Sequence, residues 1–337
     1  MVFAITGGGT GGHLAIAKSL GLELKKREIK TIFIGSTYGQ DKKWFENSDI
    51  FEKTYFLQSS GVVNKSGFKK IFSLFNIFKL AFTSKKILKE NSVKCVISVG
   101  GYSSAPASFG AILSKIPLFL HEQNAIFGRL NKLLKPFSKH YYTSYEMPKT
   151  DYPVNEKFFS TARNRQKLET VIFLGGSQGA NFINSLAKEL APKLLNSGLK
   201  VIHQCGDKSF NETFEFYQKN GLNVELVGFY ADLHKLIQKA DICIGRSGAS
   251  TLWELCANRL PAIFIPFPFA AGDHQYYNAK FLADLNLCKI IRQDEASAEK
   301  IINLMREFEI QKVSKALEHT IYPNGASFII DDILKRI

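Results

Sequence analysis

Two stretches of sequence decide the fold: residues 3–13 read FAITGGGTGGH, and residues 171–180 read VIFLGGSQGA. In each stretch a short apolar run predicts a buried strand, the glycines predict a tight turn, and the apolar periodicity that follows predicts a helix. A helix N-terminus behind such a turn presents backbone N–H groups and the positive end of the helix dipole to an anion. The duplication therefore predicts two nucleotide-fold domains around a shared cleft, with one anionic ligand for each.

Apolar strands alternate with helices along both halves of the chain. The predicted strands end at residues 6, 35, 99, 121 and 143 in the first half and at residues 174, 205, 227, 245, 265 and 291 in the second. This alternation is typical of parallel sheets covered on both faces, which bind ligands beyond the carboxyl ends of their strands. The polar stretch 151–166 is the predicted linker between the domains.

Composition limits the class of protein. A chain of 337 residues with 45% hydrophobic and 22% charged residues suits two ordinary globular domains. The five cysteines are scattered without a CxxC pair, which favours reduced thiols and no structural zinc. We find no secretory signal and no apolar run of the roughly 18 residues that a membrane-spanning helix needs. These features predict a cytoplasmic protein.

The net charge of +14 is unevenly placed, because residues 1–160 carry 23 Lys and Arg against 11 Asp and Glu. Residues 67–90, GFKKIFSLFNIFKLAFTSKKILKE, predict a lysine-rich helix with a core-facing stripe of Ile71, Leu74, Phe75, Phe78 and Phe82. Phe72, Ile77 and Leu80 are predicted to lie off that stripe. Aromatic residues bordered by lysines are typical of helices that bind anionic membranes. We therefore predict membrane contact here, with an ordinary covering helix as the alternative.

The first glycine loop formally matches the dinucleotide-binding pattern, but two features disfavour a dehydrogenase or a P-loop enzyme. The second predicted strand ends in Ile34-Gly35-Ser36-Thr37 without the carboxylate that would bind a ribose, and no Lys-Ser or Lys-Thr pair closes the loop. His13, which follows the loop, is a candidate catalytic or ligand-binding residue. The repetition of the loop argues that its glycines serve a ligand rather than tight packing.

In the second half, residues 246–254 read RSGASTLWE and begin beyond a predicted strand. Glu254 then falls in the first turns of a helix, where a carboxylate suits two vicinal hydroxyls such as those of a ribose. The alternative is that it only complements the helix dipole. Residues 273–279, DHQYYNA, open another helix beyond a later strand.

Six motifs in this order resemble those of the MurG family, the UDP-N-acetylglucosamine–N-acetylmuramyl-(pentapeptide) pyrophosphoryl-undecaprenol N-acetylglucosamine transferases. They are GGGTGGH, GGY, HEQN, GGSQGA, RSGA with a following glutamate, and DHQ before Asn-Ala. The resemblance implies an α/β fold of the GT-B glycosyltransferase class, with two Rossmann-like parallel-sheet domains facing a deep cleft. Residues 1–157, with a C-terminal helix near 324–337 packed on them, would face the acceptor and membrane, and residues 158–323 would bind UDP-GlcNAc.

The resemblance implies a reaction in peptidoglycan biosynthesis. GlcNAc passes with inversion from UDP-GlcNAc to the MurNAc 4-hydroxyl of undecaprenyl-pyrophosphoryl-MurNAc-pentapeptide (lipid I), which gives lipid II and UDP. The protein would lie peripherally on the cytoplasmic face of the inner membrane, with no nucleic acid as a partner. The ligand-contacting residues implied by the motifs are Thr10, Gly11, Gly12, Asn124, Ser177, Tyr230, Arg246, Ala249, Ser250, Thr251, Glu254, His274, Gln275 and Asn278.

For catalysis, His13 is the first candidate general base and Glu122 the second, because the acceptor hydroxyl is too weakly acidic to attack unaided. Arg246, Ser177 and Ser250 are candidates to stabilise the charge that develops on UDP. No Asp-x-Asp motif follows a strand, so we expect no metal and no cofactor in the donor site.

The chain departs from the family at one position. Members commonly carry Asn-Pro-Val-Arg at the linker, where this chain has Tyr-Pro-Val-Asn at residues 152–155. Asn155 supplies neither a cation nor a bidentate fork. Either Lys157, Arg163 or Arg165 compensates, or the contact is absent.

Three alternatives stay open at the level of sequence. One is another GT-B enzyme that uses a UDP-sugar, such as a transferase with a different acceptor or a UDP-GlcNAc epimerase. The others are a nucleic-acid-binding protein, although no recognised nucleic-acid motif is present, and a non-catalytic UDP-sugar-binding module.

Overall fold

A computed structural model describes residues 1–61, 67–176 and 180–337; within these, the side chains of 67–71 and 74 are not described. The chain divides into two compact units. Unit 1 comprises Met1–Val154 together with Asn324–Ile337, and unit 2 comprises Asn155–Pro323.

Unit 1 is built on a six-stranded parallel sheet of order β3-β2-β1-β4-β5-β6. Its elements are β1 (Val2–Thr6), α1 (Gly11–Lys26), β2 (Lys30–Ser36), α2 (Asp41–Phe45), β3 (Lys53–Leu57), α3 (Gly67–Glu90), β4 (Val93–Ser98), α4 (Ala105–Leu113), β5 (Leu118–Glu122), α5 (Arg129–Leu134), β6 (His140–Thr143) and, from the C-terminus, α14 (Gly325–Arg336). The central strands are buried nearly throughout, which is why they appear in the sequence as continuous apolar runs. The edge strand β3, with one exposed residue and four half-buried ones, lacks that signal, and the sequence analysis missed it.

Unit 2 repeats the plan with a six-stranded parallel sheet of order β12-β11-β10-β7-β8-β9. Its elements are α6 (Glu156–Ser160), β7 (Thr170–Leu174), α7 (Asn181–Asn196), β8 (Lys200–Gln204), α8 (Phe210–Lys219), β9 (Glu225–Val227), α9 (Leu233–Lys239), β10 (Ile242–Gly245), α10 (Ala249–Ala257), β11 (Ala262–Phe264), α11 (His274–Asp284), β12 (Lys289–Ile290), α12 (Ala298–Arg306) and α13 (Ile310–Leu317). Each sheet has the strand order of a Rossmann fold. The prediction of two Rossmann-like domains, each built on a parallel sheet, is confirmed.

The C-terminal helix α14 packs in unit 1, where side chains of α1 and β6 hold it. Arg27 of α1 pairs with Asp331 and also donates to the Ser327 hydroxyl at 2.8 Å. Tyr142 of β6 donates its hydroxyl to Asp332 at 2.8 Å. These contacts join α14 to a helix and a strand that lie far from it in sequence.

The polar stretch 151–166 is not a solvated linker. Tyr152, Phe158 and Arg165 within it are all buried. Arg165 is completely buried and donates to the backbone carbonyls of Ile237, Ala240 and Asn258. The boundary between the two units, between Val154 and Asn155, does fall within this stretch. Its arginine is nevertheless buried, because backbone carbonyls satisfy the donors of the guanidinium.

Helix α3 presents the face opposite to the one predicted. Its buried residues among the described side chains are Ser73, Ile77, Ala81, Ser84, Ile87 and Leu88, and they form a stripe at helical spacing. A Cβ atom added to Gly110 of α4 would lie 2.9 Å from the Ser84 Cβ and 3.1 Å from the Ala81 carbonyl oxygen, so small residues bring the two helices close together. The aromatic residues therefore point away from the core. The exposed fractions are 74% for Phe72, 66% for Phe75, 58% for Phe78 and 49% for Phe82.

Candidate active site

In a sheet of this strand order, the crevice for a ligand opens where the chain reverses direction across the sheet. That point lies between β1 and β4 in unit 1 and between β7 and β10 in unit 2. Both predicted glycine loops follow the first strand of their unit. The two crevices differ in what fills them.

The crevice of unit 1 is closed by the protein's own backbone. The N–H of Gly8 donates to the Gly100 carbonyl at 3.1 Å, and Gly7, Gly8 and Gly9 are buried. A Cβ atom on Gly101 would lie 2.2 Å from the Gly8 carbonyl oxygen, and one on Gly7 would lie 2.5 Å from the Gly100 carbonyl oxygen. These glycines therefore serve close packing of two loops, contrary to the sequence prediction that the motif serves a ligand directly.

Beyond the packed glycines, the N-terminus of α1 carries the candidate base. Thr10 is the N-cap residue and is exposed, and Gly11, Gly12 and His13 form the first half-buried turn. The Thr10 hydroxyl lies 2.8 Å from His13 Nδ1 instead of capping a backbone N–H. The side-chain amide nitrogen of the buried Gln123 lies 2.7 Å from His13 Nε2. Both ring nitrogens therefore have a partner: the exposed Thr10 contacts Nδ1, and the buried Gln123 contacts Nε2.

Glu122, the second candidate base, lies at the end of β5 with a buried carboxylate. One oxygen accepts from the Asn124 N–H at 3.0 Å, and the other accepts from the Gly128 N–H and the Asn131 amide, both at 2.9 Å. Burial raises the pKa of Glu122, while these donors act to lower it. The carboxylate is committed to shaping residues 122–131, including Asn124. Its geometry therefore favours a positioning role over proton transfer.

Among its described residues, the crevice of unit 2 borders open space at two glycines. Within the described ranges, Gly176, with φ +79°, and Gly248, the N-cap residue of α10, have no heavy atom within 4 Å of the position a Cβ atom would take, neighbouring residues aside. Ser177 lies outside the described residues. Ala249, Ser250 and Thr251 form the first turn of α10, directly behind Gly248. An open, glycine-lined turn before a helix N-terminus is suited to an anion or to the backbone-contacting part of a nucleotide.

Glu254 lies one turn further along α10 with an unpaired carboxylate. It is half-buried, and within the described ranges no donor or cation contacts it. Burial raises the pKa of Glu254 to about 8. A carboxylate in this state lacks two donors, and a vicinal diol supplies two.

Arg246 follows β10 as a partly buried cation between two aromatic rings. Its guanidinium carbon lies 5.7 Å from the Phe182 ring centroid and 5.5 Å from that of Phe267. Its terminal nitrogens donate to the carbonyls of Ile265 and Pro266 and to the Gln293 side chain. Burial lowers the pKa of Arg246 to about 10, so the group stays charged at neutral pH. It supplies positive charge at the crevice, but its bidentate fork is occupied.

Two polar residues of α11 hold neighbouring loops. Gln275 accepts from the Phe267 N–H at 3.0 Å, and the fully buried Asn278 donates to the Ser247 carbonyl at 3.2 Å. Asn278, predicted to lie near the sugar, thus holds the residue that precedes Gly248. His274 is half-buried, with Nδ1 3.0 Å from the Ala271 carbonyl oxygen.

Sequence reasoning missed two carboxylates that shape this region. Asp273, itself in a left-handed conformation, makes a bidentate pair with Arg292 at 2.9 and 2.7 Å just before α11. Asp207 accepts from the Phe229 N–H at 2.7 Å and so holds the turn that carries the half-buried Tyr230. Their partners lie 19 and 22 residues away, beyond the range of local sequence patterns.

The missing linker arginine is not replaced by either nearby arginine. Asn155 is the N-cap residue of α6 and accepts from the Lys157 N–H at 3.0 Å. Arg163 donates to the carbonyls of Gln238 and Ala240 and pairs with Asp241, and Arg165 is buried. Of the three candidates, Lys157 alone has an exposed ammonium, which lies 4.0 Å from Asp232.

Two Rossmann-like units in one chain are the architecture of GT-B glycosyltransferases, and the comparisons with known proteins give that class. Two family models match the chain: the glycosyltransferase family 28 N-terminal domain at residues 3–143 and the C-terminal domain at residues 170–325.

Individual proteins narrow the family further. The UDP-N-acetylglucosamine–N-acetylmuramyl-(pentapeptide) pyrophosphoryl-undecaprenol N-acetylglucosamine transferase of Campylobacter hominis is 59% identical over 337 residues, covering 100% of this chain and 98% of the relative. Acinetobacter baumannii MurG matches with a TM-score of 0.79 and 25% identity over 99% of both chains. The UDP-GlcNAc 2-epimerase of Neisseria meningitidis, at a TM-score of 0.65 and 14% identity over 100% of both chains, shares the fold alone. The chain belongs to glycosyltransferase family 28 and, within it, to the MurG family.

Proposed function

We propose that this protein transfers GlcNAc from UDP-GlcNAc to the MurNAc 4-hydroxyl of lipid I, giving lipid II and UDP. Full-length identity of 59% to a transferase named for these substrates supports the activity. The observation that carries the donor assignment is the open crevice at Gly176 and Gly248, with the unpaired Glu254 one turn beyond it. We assign the donor to unit 2 and the acceptor to unit 1.

The nucleotide of the donor fits the residues around α10. The diphosphate would lie against the N–H groups of the first turn of α10, with Ser250 and the charge of Arg246 nearby. The ribose hydroxyls would donate to Glu254, which supplies the two acceptors that a diol needs. Tyr230, in the turn held by Asp207, is assigned to the uracil. Positive charge and N–H donors at the diphosphate stabilise UDP as the bond to the sugar breaks.

His13 is the general base in this proposal. The acceptor hydroxyl replaces the exposed Thr10 hydroxyl at Nδ1, whereas the buried Gln123 keeps its place at Nε2. Nδ1 accepts a proton only when Nε2 carries the hydrogen, so Gln123 presents its oxygen to the ring in the active arrangement. As the acceptor oxygen bonds to the anomeric carbon, its proton passes to Nδ1 and the bond to UDP breaks on the opposite face of the sugar. This single displacement inverts the anomeric configuration.

The exposed face of α3 is assigned to an anionic membrane surface. Phe72, Phe75, Phe78 and Phe82 follow one another at helical spacing, and the rings of Phe78 and Phe82 pack edge to face with centroids 5.0 Å apart. Lys79, Lys85 and Lys86 are exposed on the same helix. Among the described residues, no helix is long and apolar enough to span a bilayer. A peripheral protein on the cytoplasmic face of the inner membrane would meet its lipid-linked acceptor there.

The activity is tested by incubating the protein with UDP-GlcNAc and a lipid I analogue, with and without a chelator. We expect release of UDP together with a product heavier by one GlcNAc, at the same rate in both arms. UDP release without a glycosylated lipid would indicate a different reaction, and conversion of UDP-GlcNAc to its 2-epimer would support the epimerase alternative. A loss of activity with the chelator would contradict the expectation of a metal-independent donor site.

A further inference from the structure

A buried carboxylate lies behind the first glycine loop. Asp41, the first residue of α2, has no exposed surface. One carboxylate oxygen accepts from the N–H of Gly9, 32 residues away, and the other accepts from the Ser36 N–H at 2.8 Å. The loop that the sequence marks as a cradle for an anion therefore already directs one of its N–H groups at an anion of the protein.

The carboxylate is surrounded closely by glycines and by backbone N–H groups. A Cβ atom on Gly8 would lie 2.5 Å from the Asp41 carboxylate, and one on Gly35 would lie 2.9 Å from it. Either glycine could be replaced only by displacing the carboxylate. The site is shaped around Asp41 itself.

Asp41 has no cationic partner in the described ranges, and the N–H groups of Gly9 and Ser36, together with the Ser103 hydroxyl, favour its charged form. A buried carboxylate of this kind is costly, and burial raises its pKa above the ordinary value. An apolar residue of similar volume could occupy this position without the cost of burying a charge. The fold therefore keeps an anion at this point for a reason other than packing.

The contacts of Gly9 connect Asp41 to the candidate base. Gly9 has φ +82°, and its α-carbon is packed against Tyr102, whose ring would lie 2.6 Å from an added Cβ atom. The next residue is Thr10, whose hydroxyl contacts His13 Nδ1 at 2.8 Å. Fixing the Gly9 peptide thus fixes the direction in which α1 begins and the placement of Thr10 and His13.

We propose that Asp41 is a positioning residue for the transfer reaction: its carboxylate occupies the first glycine loop in place of an external anion and holds Thr10 and His13 toward the acceptor. It follows that the Gly9 N–H does not bind the acceptor diphosphate, which is left with the N-terminus of α1. This inference rests on the proposed function, since it assigns Asp41 a part in the same reaction.

The test compares Asp41→Asn and Asp41→Ala with wild type, and with Asp49→Ala as a matched removal of an exposed carboxylate from the same unit. We expect kcat to fall about tenfold to a hundredfold in both Asp41 variants, because small displacements of a base carry penalties of this size. The KM for UDP-GlcNAc and the affinity for UDP should be unchanged. Asp49→Ala should match wild type.

Formate supplies the readout that a merely structural role would not give. In Asp41→Ala the cavity keeps two N–H donors, so added formate should raise both Tm and kcat in that variant and neither in wild type nor in Asp49→Ala. Acetate, which is bulkier, should act less. The proposal would be overturned if the Asp41 variants kept the wild-type kcat or did not respond to formate. It would also be overturned if their KM for the acceptor fell, because the emptied loop would then bind the acceptor diphosphate. Absence of transfer by wild type would instead refute the proposed function, and the formate effect on Tm would still decide whether Asp41 fills an anion site.

Discussion

The glycines that follow the first strand of each unit share a position in the fold, but they differ in what lies beside them. In unit 1 the loop after β1 is packed against the loop after β4, and its Gly9 N–H is bound by Asp41. In unit 2, Gly176 and Gly248 border open space, and the carboxylate beyond them is unpaired. A glycine can thus be required because backbone fills the space beside it or because a ligand must.

The difference assigns the two units different tasks. The closed crevice makes unit 1 a rigid support for the N-terminus of α1, where Thr10 and His13 lie. The open crevice leaves unit 2 able to admit a nucleotide. In the proposed function, one crevice receives a ligand and the other supports the base.

The largest expected effect is on stability, because alanine should be tolerated far less well in the unit 1 loop than at Gly248 of unit 2. Gly101→Ala places a Cβ atom 2.2 Å from the Gly8 carbonyl oxygen at φ +79°, whereas Gly248→Ala meets open space at φ −63°. We expect the first to lower the free energy of unfolding by about 2–5 kcal/mol and the second to change it by less than about 0.5 kcal/mol. Urea unfolding of both variants measures this. Equal losses of stability would remove the distinction between the loops.

The next effect concerns the base on the closed side. His13→Ala should lower kcat about a hundredfold or more while leaving the affinity for UDP unchanged, because it removes proton transfer and not the donor site. Steady-state kinetics and calorimetric titration of UDP check the two parts. Near-normal turnover would transfer the role elsewhere, and Glu122→Gln, which keeps the shape of the loop, would then be the variant to measure.

The unpaired carboxylate on the open side predicts a dependence on pH. The pKa of Glu254 near 8 means that the free protein holds a proton that the ribose hydroxyls must displace if they bind the carboxylate. The affinity for UDP should therefore rise with pH, by at most about tenfold per unit, and level off above pH 8. Glu254→Gln should bind UDP about tenfold more weakly than wild type at high pH. A titration series in both proteins tests this, and a Glu254→Gln profile identical to that of wild type would refute the ribose assignment.

The smallest effect concerns α3. Phe72→Ser combined with Phe78→Ser should weaken binding to anionic vesicles about fivefold, or roughly 1 kcal/mol, because two exposed rings no longer enter the interface. Phe214→Ser, which removes a 46% exposed aromatic residue from α8 of unit 2, is the matched control and should have no effect. Co-sedimentation measures the binding. Equal losses in the two variants would show that the α3 face has no special part in it.

Much of the fold could be predicted from the sequence because it depends on local patterns. Strands buried on both faces appear as apolar runs, and the ends of these runs located the loops that carry Thr10 and Arg246 and the helix that carries Glu254. The N-cap role of Asn155 also has a local signal, since Asn is favoured directly before a helix.

The state of each crevice could not be predicted, because it depends on contacts between distant residues. Asp41 lies 32 residues from Gly9, and Gly100 lies still further from Gly8. The prediction of which face of α3 is buried was wrong for a related reason. Helical periodicity identified an aromatic stripe, but the close approach of Gly110 to Ser84 and Ala81 selected the small residues as the buried face.

We propose that the crevice of unit 2 receives the nucleotide of the donor. Calorimetric titration of UDP into Gly248→Val tests it most directly, because the added side chain enters space that the protein leaves empty. We predict at least about a tenfold loss of UDP affinity with an unfolding midpoint close to that of wild type. Wild-type affinity for UDP in a folded Gly248→Val protein would contradict the assignment of the nucleotide to this crevice.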